Sequence, residues 1–396
     1  MKKVFVFILS ILFCGVAVCA KAPIKVLIVA GQGDVPHNWE AGSLIIQRFL
    51  NESGLFAADI AFSPQKGEDM SAFRPDFSAY KVVVLNYVGD PWSDATKAAF
   101  VDYVKKGGGV VVYHAGNNRF ADWKEYNEII GLGGWDNRDE KNGPYVYFKD
   151  GKEVRDNSPG KGGAHGRQHE FVITLRDKKH PITKGLPDSW MHAKDELYDR
   201  LRGPALNLTV LATAFSDKAT GGTDRDEPVL MTIKWGKGRI FHTTLGHVGK
   251  DDLTHPSVES ASFIVTFLRG TEWAATGKVT QKVPADFPET KMASMIESLL
   301  VGASPTAVYA IVLALTRSKE VIVTVSSDGN VKSEHRPEVD ESEDNSSMIN
   351  FGKFCNMITI TDAIKNIDNT YQGKCYVLRK VSLAEGCVEL SHKPCP

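Results

Sequence analysis

The chain is 396 residues long, with 42% hydrophobic and 24% charged residues, an ordinary globular composition rather than that of a disordered or fibrous chain. Its length fits two or three domains with a full buried core. Lys and Arg number 47 against 48 Asp and Glu, a formal net charge of −1, which leaves no electrostatic case for a nucleic-acid or anionic-membrane partner.

Residues 1–20 read as a signal peptide: Lys2 and Lys3 form a charged start, 4–18 are apolar, and Val18-Cys19-Ala20 offers small residues before Lys21. The run is short for a membrane span and no stop-transfer flank follows it. The expectation is an exported chain, periplasmic or secreted, with no integral membrane segment after cleavage. Cleavage removes Cys14 and Cys19 and leaves Cys355, Cys375, Cys387 and Cys395, all near the C-terminus. In an exported protein such a group suggests two disulfides, with three connectivities open.

Lys25-Val-Leu-Ile-Val-Ala30 is a continuous apolar run of the kind buried on both faces of a sheet. A helix follows from about Asn38, stopped by Gly54, and then a short strand over 57–62. Lys81-Val-Val-Val-Leu85 is a third strand, and Ser93 opens a helix through Lys106. Val110-Val-Val-Tyr113 is the fourth strand and runs straight into His114-Ala-Gly116. This alternation predicts a doubly wound, mostly parallel α/β sheet of flavodoxin-like type. Residues 131–166, rich in Gly, Asn, Asp and Lys, read as a long loop or insertion. Strands are predicted over 170–175 and 208–215. Two more, 228–235 and 239–244, form a hairpin about Gly236-Lys-Gly238, and a helix covers 257–270. The domain is placed at 21–276 and a polar, proline-bearing linker at 277–292. A small Cys-containing region of unknown fold occupies 293–396, with a helix over 307–316, a strand over 321–325 and a solvated acidic loop over 334–345.

Nine of the eleven His lie between 37 and 255, several just after strand ends, where open α/β sheets bind ligands. His37 follows the first strand and His114 the fourth. His165 and His169 precede a strand; His192, Asp195 and Glu196 form a second group; His242 and His247 lie on or just past the hairpin. Imidazole with carboxylate suits a divalent metal such as Zn, Mn or Fe, and equally suits acid–base work near neutral pH. Each loop His taken alone reads more simply as a surface or hydrogen-bonding residue, and His180 and His255, both before Pro, read as turn residues. Gly31-Gln-Gly33 lacks the third Gly of a dinucleotide fingerprint, so no nucleotide site is expected. Gly160 to Gly166 reads as a flexible loop. Trp39, Trp123 and Trp135 could offer faces to sugar rings, although burial in a core is the commoner fate of Trp.

The ordered set Lys25-Val-Leu-Ile-Val-Ala-Gly31 with His37, Gly108-Gly-Val-Val-Val-Tyr-His114-Ala-Gly116, His180-Pro-Ile-Thr-Lys-Gly-Leu186, Asp195-Glu-Leu-Tyr198 and Pro228-Val-Leu-Met-Thr-Ile-Lys-Trp235, completed by Gly236-Lys-Gly-Arg-Ile-Phe-His-Thr-Thr-Leu-Gly-His247, resembles the ThuA-like (trehalose-utilisation) family. That family is related to the class I glutamine amidotransferase fold, and the resemblance covers about residues 24–270. Amidotransferases carry a nucleophilic Cys at a sharp strand-to-helix turn. Here His114 occupies the comparable place and the domain has no Cys, which excludes a thiolate acyl-enzyme. The resemblance implies sugar metabolism, with His37, His114, Glu196 and His247 as site candidates and His165, after a loop longer than usual, as a secondary one. On this basis His114 and Glu196 are the catalytic candidates, His37, His114, His165 and His247 the metal ligands, and Trp39, Asp195 and Tyr198 the substrate contacts. The expectation is a metal-assisted enzyme (Zn or Mn) acting on a glycoside or keto-glycoside. The alternatives are a non-catalytic carbohydrate-binding module and a cell-surface interaction protein. Oligomeric state stays open.

Overall fold

A computed structural model describes residues 22–33, 37–250, 255–285 and 287–288, and the backbone of five strands between 321 and 393. The signal peptide, the helix expected over 307–316, Cys355 and Cys395, and with them the disulfide pairing, lie outside the described residues.

The elements of the main domain run β1 (Ile24–Gln32), α1 (Trp39–Glu52), β2 (Phe56–Phe62), β3 (Val82–Val88), α2 (Asp94–Lys105), β4 (Gly109–Tyr113), α3 (Lys124–Ile130), β5 (Tyr145–Lys149), β6 (Lys152–Asp156), β7 (Ala164–His165), β8 (His169–Leu175), β9 (Ser189–Asp195), β10 (Tyr198–Asp199), β11 (Leu208–Ser216), β12 (Arg225–Trp235), β13 (Gly238–Thr243), α4 (Pro256–Glu259) and α5 (Ala261–Thr276). The central sheet has the order β2-β1-β3-β4-β13-β12-β11-β8-β9. Pairing is parallel from β2 to β13 and antiparallel from β13 outward, so the sheet is mixed.

The apolar runs explain why the sheet is covered on both faces. Successive side chains of a strand point to opposite sides. On β1, Val26 and Ile28 join one core with Ile46 and Phe49 of α1 and Phe263 and Phe267 of α5. Leu27 and Val29 join the other, with Phe100 and Val104 of α2 and Tyr126 and Ile129 of α3. β3 and β4 divide in the same way, Val82, Val84 and Val111 to the first core and Val83, Leu85, Val110 and Val112 to the second. This is the doubly wound arrangement that the sequence pattern predicts. The helix starts also follow the sequence: Asn38 Oδ1 accepts the N–H of Ala41 and caps α1, and Ser93 Oγ accepts that of Thr96 and caps α2.

Three segments depart from expectation. Residues 131–166 are not a plain loop: β5 and β6 form an antiparallel hairpin within them, and β5 also meets β12. β5 anchors the hairpin, with Val146 buried in the second core and Phe148 against that core, and Arg side chains cover its rings, Arg202 over Tyr145 at 3.5 Å and Arg225 over Tyr147 at 4.3 Å. The final helix is α5, capped by Ser260 and running to Thr276, because 256–259 form the separate turn α4. The start of the segment read as a linker packs back on the domain: Thr280 donates N–H and O–H to Glu272, Arg269 donates to the Gln281 carbonyl, and Phe287 meets Trp190 at 5.4 Å.

The C-terminal strands β14 (Val321–Val325), β15 (Val331–His335), β16 (Asn350–Phe354), β17 (Cys375–Ser382) and β18 (Cys387–Lys393) form an antiparallel sheet of order β15-β14-β17-β18-β16. The strand expected over 321–325 is present. Glu334, read as the start of an acidic loop, lies instead in β15 opposite Ile322. Among the described residues no helix is long and apolar enough to cross a membrane.

Candidate metal centre

Four strand ends build the site. His37 lies in the loop after β1, immediately before the α1 cap. His247 lies in the loop after β13. The two loops are zipped together: Asn38 N–H donates to the Val248 carbonyl at 2.7 Å and His37 bridges Gly249. The His37 and His247 rings are 4.8 Å apart.

His114 stands at the turn between β4 and the helical turn that follows, with φ +42°. The turn is tight: a Cβ at Gly116 would fall 2.4 Å from the Leu85 carbonyl oxygen, so only glycine fits. His114 Nδ1 lies 2.7 Å from the Thr244 carbonyl oxygen, which can only accept, so Nδ1 carries the hydrogen. In the neutral ring the Nε2 lone pair then points into the cluster, the tautomer that suits a metal ligand.

Glu196 follows β9. Its Oε2 faces three imidazoles: His247 Nδ1 at 3.2 Å, His114 Nε2 at 3.6 Å and His37 Nε2 at 3.9 Å. Its Oε1 faces His165 Nε2 at 3.8 Å. His37 Nε2 and His114 Nε2 are 3.2 Å apart. One ligand atom from each of His37, His114, Glu196 and His247 lies within 4.8 Å of all the others. Two donors bound tetrahedrally to one zinc ion at 2.0–2.1 Å are separated by roughly 3.3 Å, so this donor set fits a divalent ion in composition and in spacing.

The electrostatics agree with that fit. Burial pushes the His37 imidazole down to about 4, with the nearby His114 and His247 adding to the effect against the pull of Glu196, so the ring is neutral at pH 7. Burial alone would raise Glu196, but the imidazoles of His114, His247 and His37 around it outweigh that and hold the carboxyl far below the usual range. Tyr198 is fully buried, with its hydroxyl 3.0 Å from His114 Nε2 and 3.4 Å from His37 Nε2. Burial, and then the charge of Glu196, keep that phenol protonated.

Other sequence candidates fall in different places. Asp195 sits beneath the cluster, 1% exposed, and accepts four donors: the N–H groups of Glu196, Gly246 and His247, and His192 Nε2 at 2.9 Å. His192 Nδ1 in turn meets Ser262. The structure therefore gives Asp195 no free oxygen for a ligand. Trp39 is half-buried beside the exposed Phe62, ring centroids 5.8 Å apart. Trp123 is core, stacked on Tyr126, and Trp135 stands edge-on to Tyr198 at 4.7 Å. His242 is buried between Asn117 and the Ile130 carbonyl, outside the cluster. His165 is exposed, and the β7–β10 pairing sets it opposite Tyr198. Sequence reasoning groups His192 with Asp195 and Glu196 but does not foresee it as the buried partner of Asp195, and it does not single out the buried Arg138 and Arg202. The only signal for the first was its spacing three residues before Asp195.

Comparison with known proteins now fits this geometry. The family model described as ThuA, trehalose utilisation, matches residues 25–274, and the chain belongs to that family. A crystal structure described as ThuA-like, from Parabacteroides merdae ATCC 43184, is 53% identical with a TM-score of 0.67, covering 69% of this chain and 98% of that one. Another described as ThuA-like, from Bacteroides uniformis ATCC 8492, is 20% identical with a TM-score of 0.43, covering 66% and 96%. Comparison with curated proteins returned no match. The fold is thus amidotransferase-like, with His114 at the turn after β4.

Proposed function

We propose that the chain is an exported, metal-assisted enzyme acting on a glycoside or keto-glycoside. The observation that carries this reading is the convergence of three imidazoles and one carboxylate within 4.8 Å at the carboxyl ends of the strands. The description of the matching family, trehalose utilisation, supports a sugar as substrate, and the charged, then apolar, N-terminus supports export. His37, His114, His247 and Glu196 would hold a divalent ion, Zn or Mn, and His165 stands outside that group. Bound there, the ion would polarise a carbonyl or a hydroxyl pair of the sugar.

The protein's own groups divide the remaining work. Glu196 Oε1, turned away from the three imidazoles, is the atom placed to take a proton from the ligand. Tyr198 keeps its proton and offers an O–H within bonding distance of His114 Nε2. Trp39, two residues after His37 and half-buried beside Phe62, would offer an apolar contact to the ligand. Asp195 positions Glu196 and His247 through their backbones.

Elemental analysis of the purified chain before and after chelator, with turnover of glycosides and 3-keto-glycosides, tests this reading. About one divalent ion per chain is expected, lost when His114 or His247 is changed. The double variant of His114→Ala and Glu196→Ala should fold and lose turnover. Full activity in that variant refutes the assignment. Sugar binding without metal and without product, even after soaking with Zn and Mn, would make the chain a non-catalytic sugar-binding module.

A further inference from the structure

We propose that Trp135 and His165 form a ring-binding subsite beside the cluster, in which the indole carries the apolar face of a pyranose and His165 Nε2 bonds one of its hydroxyls. The inference rests on the sugar reading above and adds a place and a geometry for the ring.

Trp135 is the first of three consecutive residues in the left-handed region, with φ +55°, +50° and +59° at Trp135, Asp136 and Asn137. Asp and Asn tolerate that conformation, whereas a bulky aromatic residue is strained in it. The surroundings hold the strain in place. Trp135 N–H donates to the Gly162 carbonyl at 2.8 Å, and Asp136 Oδ2 accepts Ala121 N–H at 2.9 Å. The guanidinium of Arg138, 1% exposed, donates to the carbonyls of Gly134 and Arg119 at 2.7 Å and to Asn127 Oδ1 at 2.9 Å.

What this clamp secures is one half-buried indole. Gly163 lies against it so closely that a Cβ there would fall 2.4 Å from Trp135 N and 2.8 Å from its Cε3. The ring stands edge-on to Tyr198 at 4.7 Å, and Tyr198 lies 4.3 Å from the His114 ring, so a single side chain separates the indole from the cluster. The exposed His165 ring lies 6.1 Å from that of Trp135. Its Nδ1 donates to the Gly166 carbonyl at 2.8 Å, which leaves Nε2 turned toward Glu196 Oε1. Trp92, Trp123 and Trp190 are buried in the cores on ordinary backbone, whereas Trp135 lies against the second core and yet stays half-buried. Strain held beside a candidate site, around a residue that is not fully buried, points to a ligand contact. An indole face matched to the C–H face of a sugar ring, next to a polar group that reads a hydroxyl, is the chemistry such a wall supplies.

The test is calorimetric titration of the metal-loaded full chain with trehalose, methyl α-glucopyranoside and D-glucitol, the last an acyclic polyol with no ring face. The wild type should bind the two cyclic probes and not glucitol. Trp135→Ala should weaken the cyclic probes about tenfold, and Trp135→Phe should keep most of the affinity. Metal content should be unchanged in both. Trp135→Leu retains apolar bulk against Tyr198 should the Ala variant fail to fold. Wild-type affinity for the cyclic probes in a folded Leu variant overturns the subsite. Failure of the wild type to bind either cyclic probe also overturns it. A full complement of metal in that sample would leave the metal centre standing, whereas its absence would remove the proposed function as well.

Discussion

Asp195 Oδ1 accepts the backbone N–H of His247 at 2.9 Å, and the same oxygen accepts the N–H of Glu196 at 2.8 Å. One buried carboxylate therefore fixes two members of the cluster, from strands far apart in sequence, without touching the space between them. Burial raises its pKa, but the bonds to His192 and the backbone donors more than offset this and keep it ionised. Asp195→Asn puts an N–H₂ where an N–H or His192 must donate. Breaking one partner of a buried, fully satisfied carboxylate costs about 3 kcal/mol. Urea unfolding should show that loss, and affinity for Zn or Mn should fall with it. A variant with wild-type stability would show that the four bonds contribute little.

The candidate centre should respond to metal as a stability effect. A ligand that binds only the folded state at about 100 times its Kd adds roughly 2.7 kcal/mol. Zn or Mn should thus raise the melting temperature of the wild type, and His37→Ala or His247→Ala should abolish most of the rise. Equal shifts in wild type and variants would place any binding elsewhere.

Glu227 makes the stability depend on pH. Burial pushes its carboxyl up from 4.5 to about 7, against a bond from Thr223 and the charge of Arg225. The folded state favours the protonated form, so the contribution is complete below pH 4.5 and is lost as pH rises through 7. Glu227→Gln should match the wild type near pH 4.5 and exceed it by about 3 kcal/mol above pH 7. Denaturation midpoints across that range are the measurement, and parallel curves would contradict it.

The segment after α5 is part of the domain. Arg269 donates to the carbonyls of Ile182 at 2.6 Å and Lys184 at 2.7 Å, and also to that of Gln281, while Glu272 holds Thr280. A chain truncated after Thr276 should melt well below one truncated after Pro288. Uncovering Trp190 by removing Phe287 alone costs about 2 kcal/mol. Identical melting temperatures would mean that this docking adds no net stability.

The parallel half of the sheet was legible because Lys25-Val-Leu-Ile-Val-Ala30, Lys81-Val-Val-Val-Leu85 and Val110-Val-Val-Tyr113 are β-branched runs bounded by glycine or polar residues. His37, His114 and His247 were legible as candidates because each follows such a run, and Glu196 through its motif. What stayed hidden depends on partners remote in sequence. The β5–β6 hairpin has no apolar alternation, and its contacts are to residues far along the chain, Val146 to the second core and its Tyr rings to Arg202 and Arg225. Strand alternation lets only one of the adjacent Asp195 and Glu196 face the site, but that Asp195 is the one turned to backbone donors depends on the remote 246–247 loop. The Trp135 conformation was invisible apart from the Asp136-Asn137 pair that follows it.

The φ of +42° at His114 bears on how chemistry can change within one architecture. The strand-to-helix turn aims whatever side chain it carries at the same point, because Gly116 and the Leu85 carbonyl set the backbone and not the identity of residue 114. A thiol there attacks a carbonyl carbon, whereas the imidazole of His114, its far nitrogen tied to the Thr244 carbonyl, turns an Nε2 lone pair toward His37, Glu196 and His247.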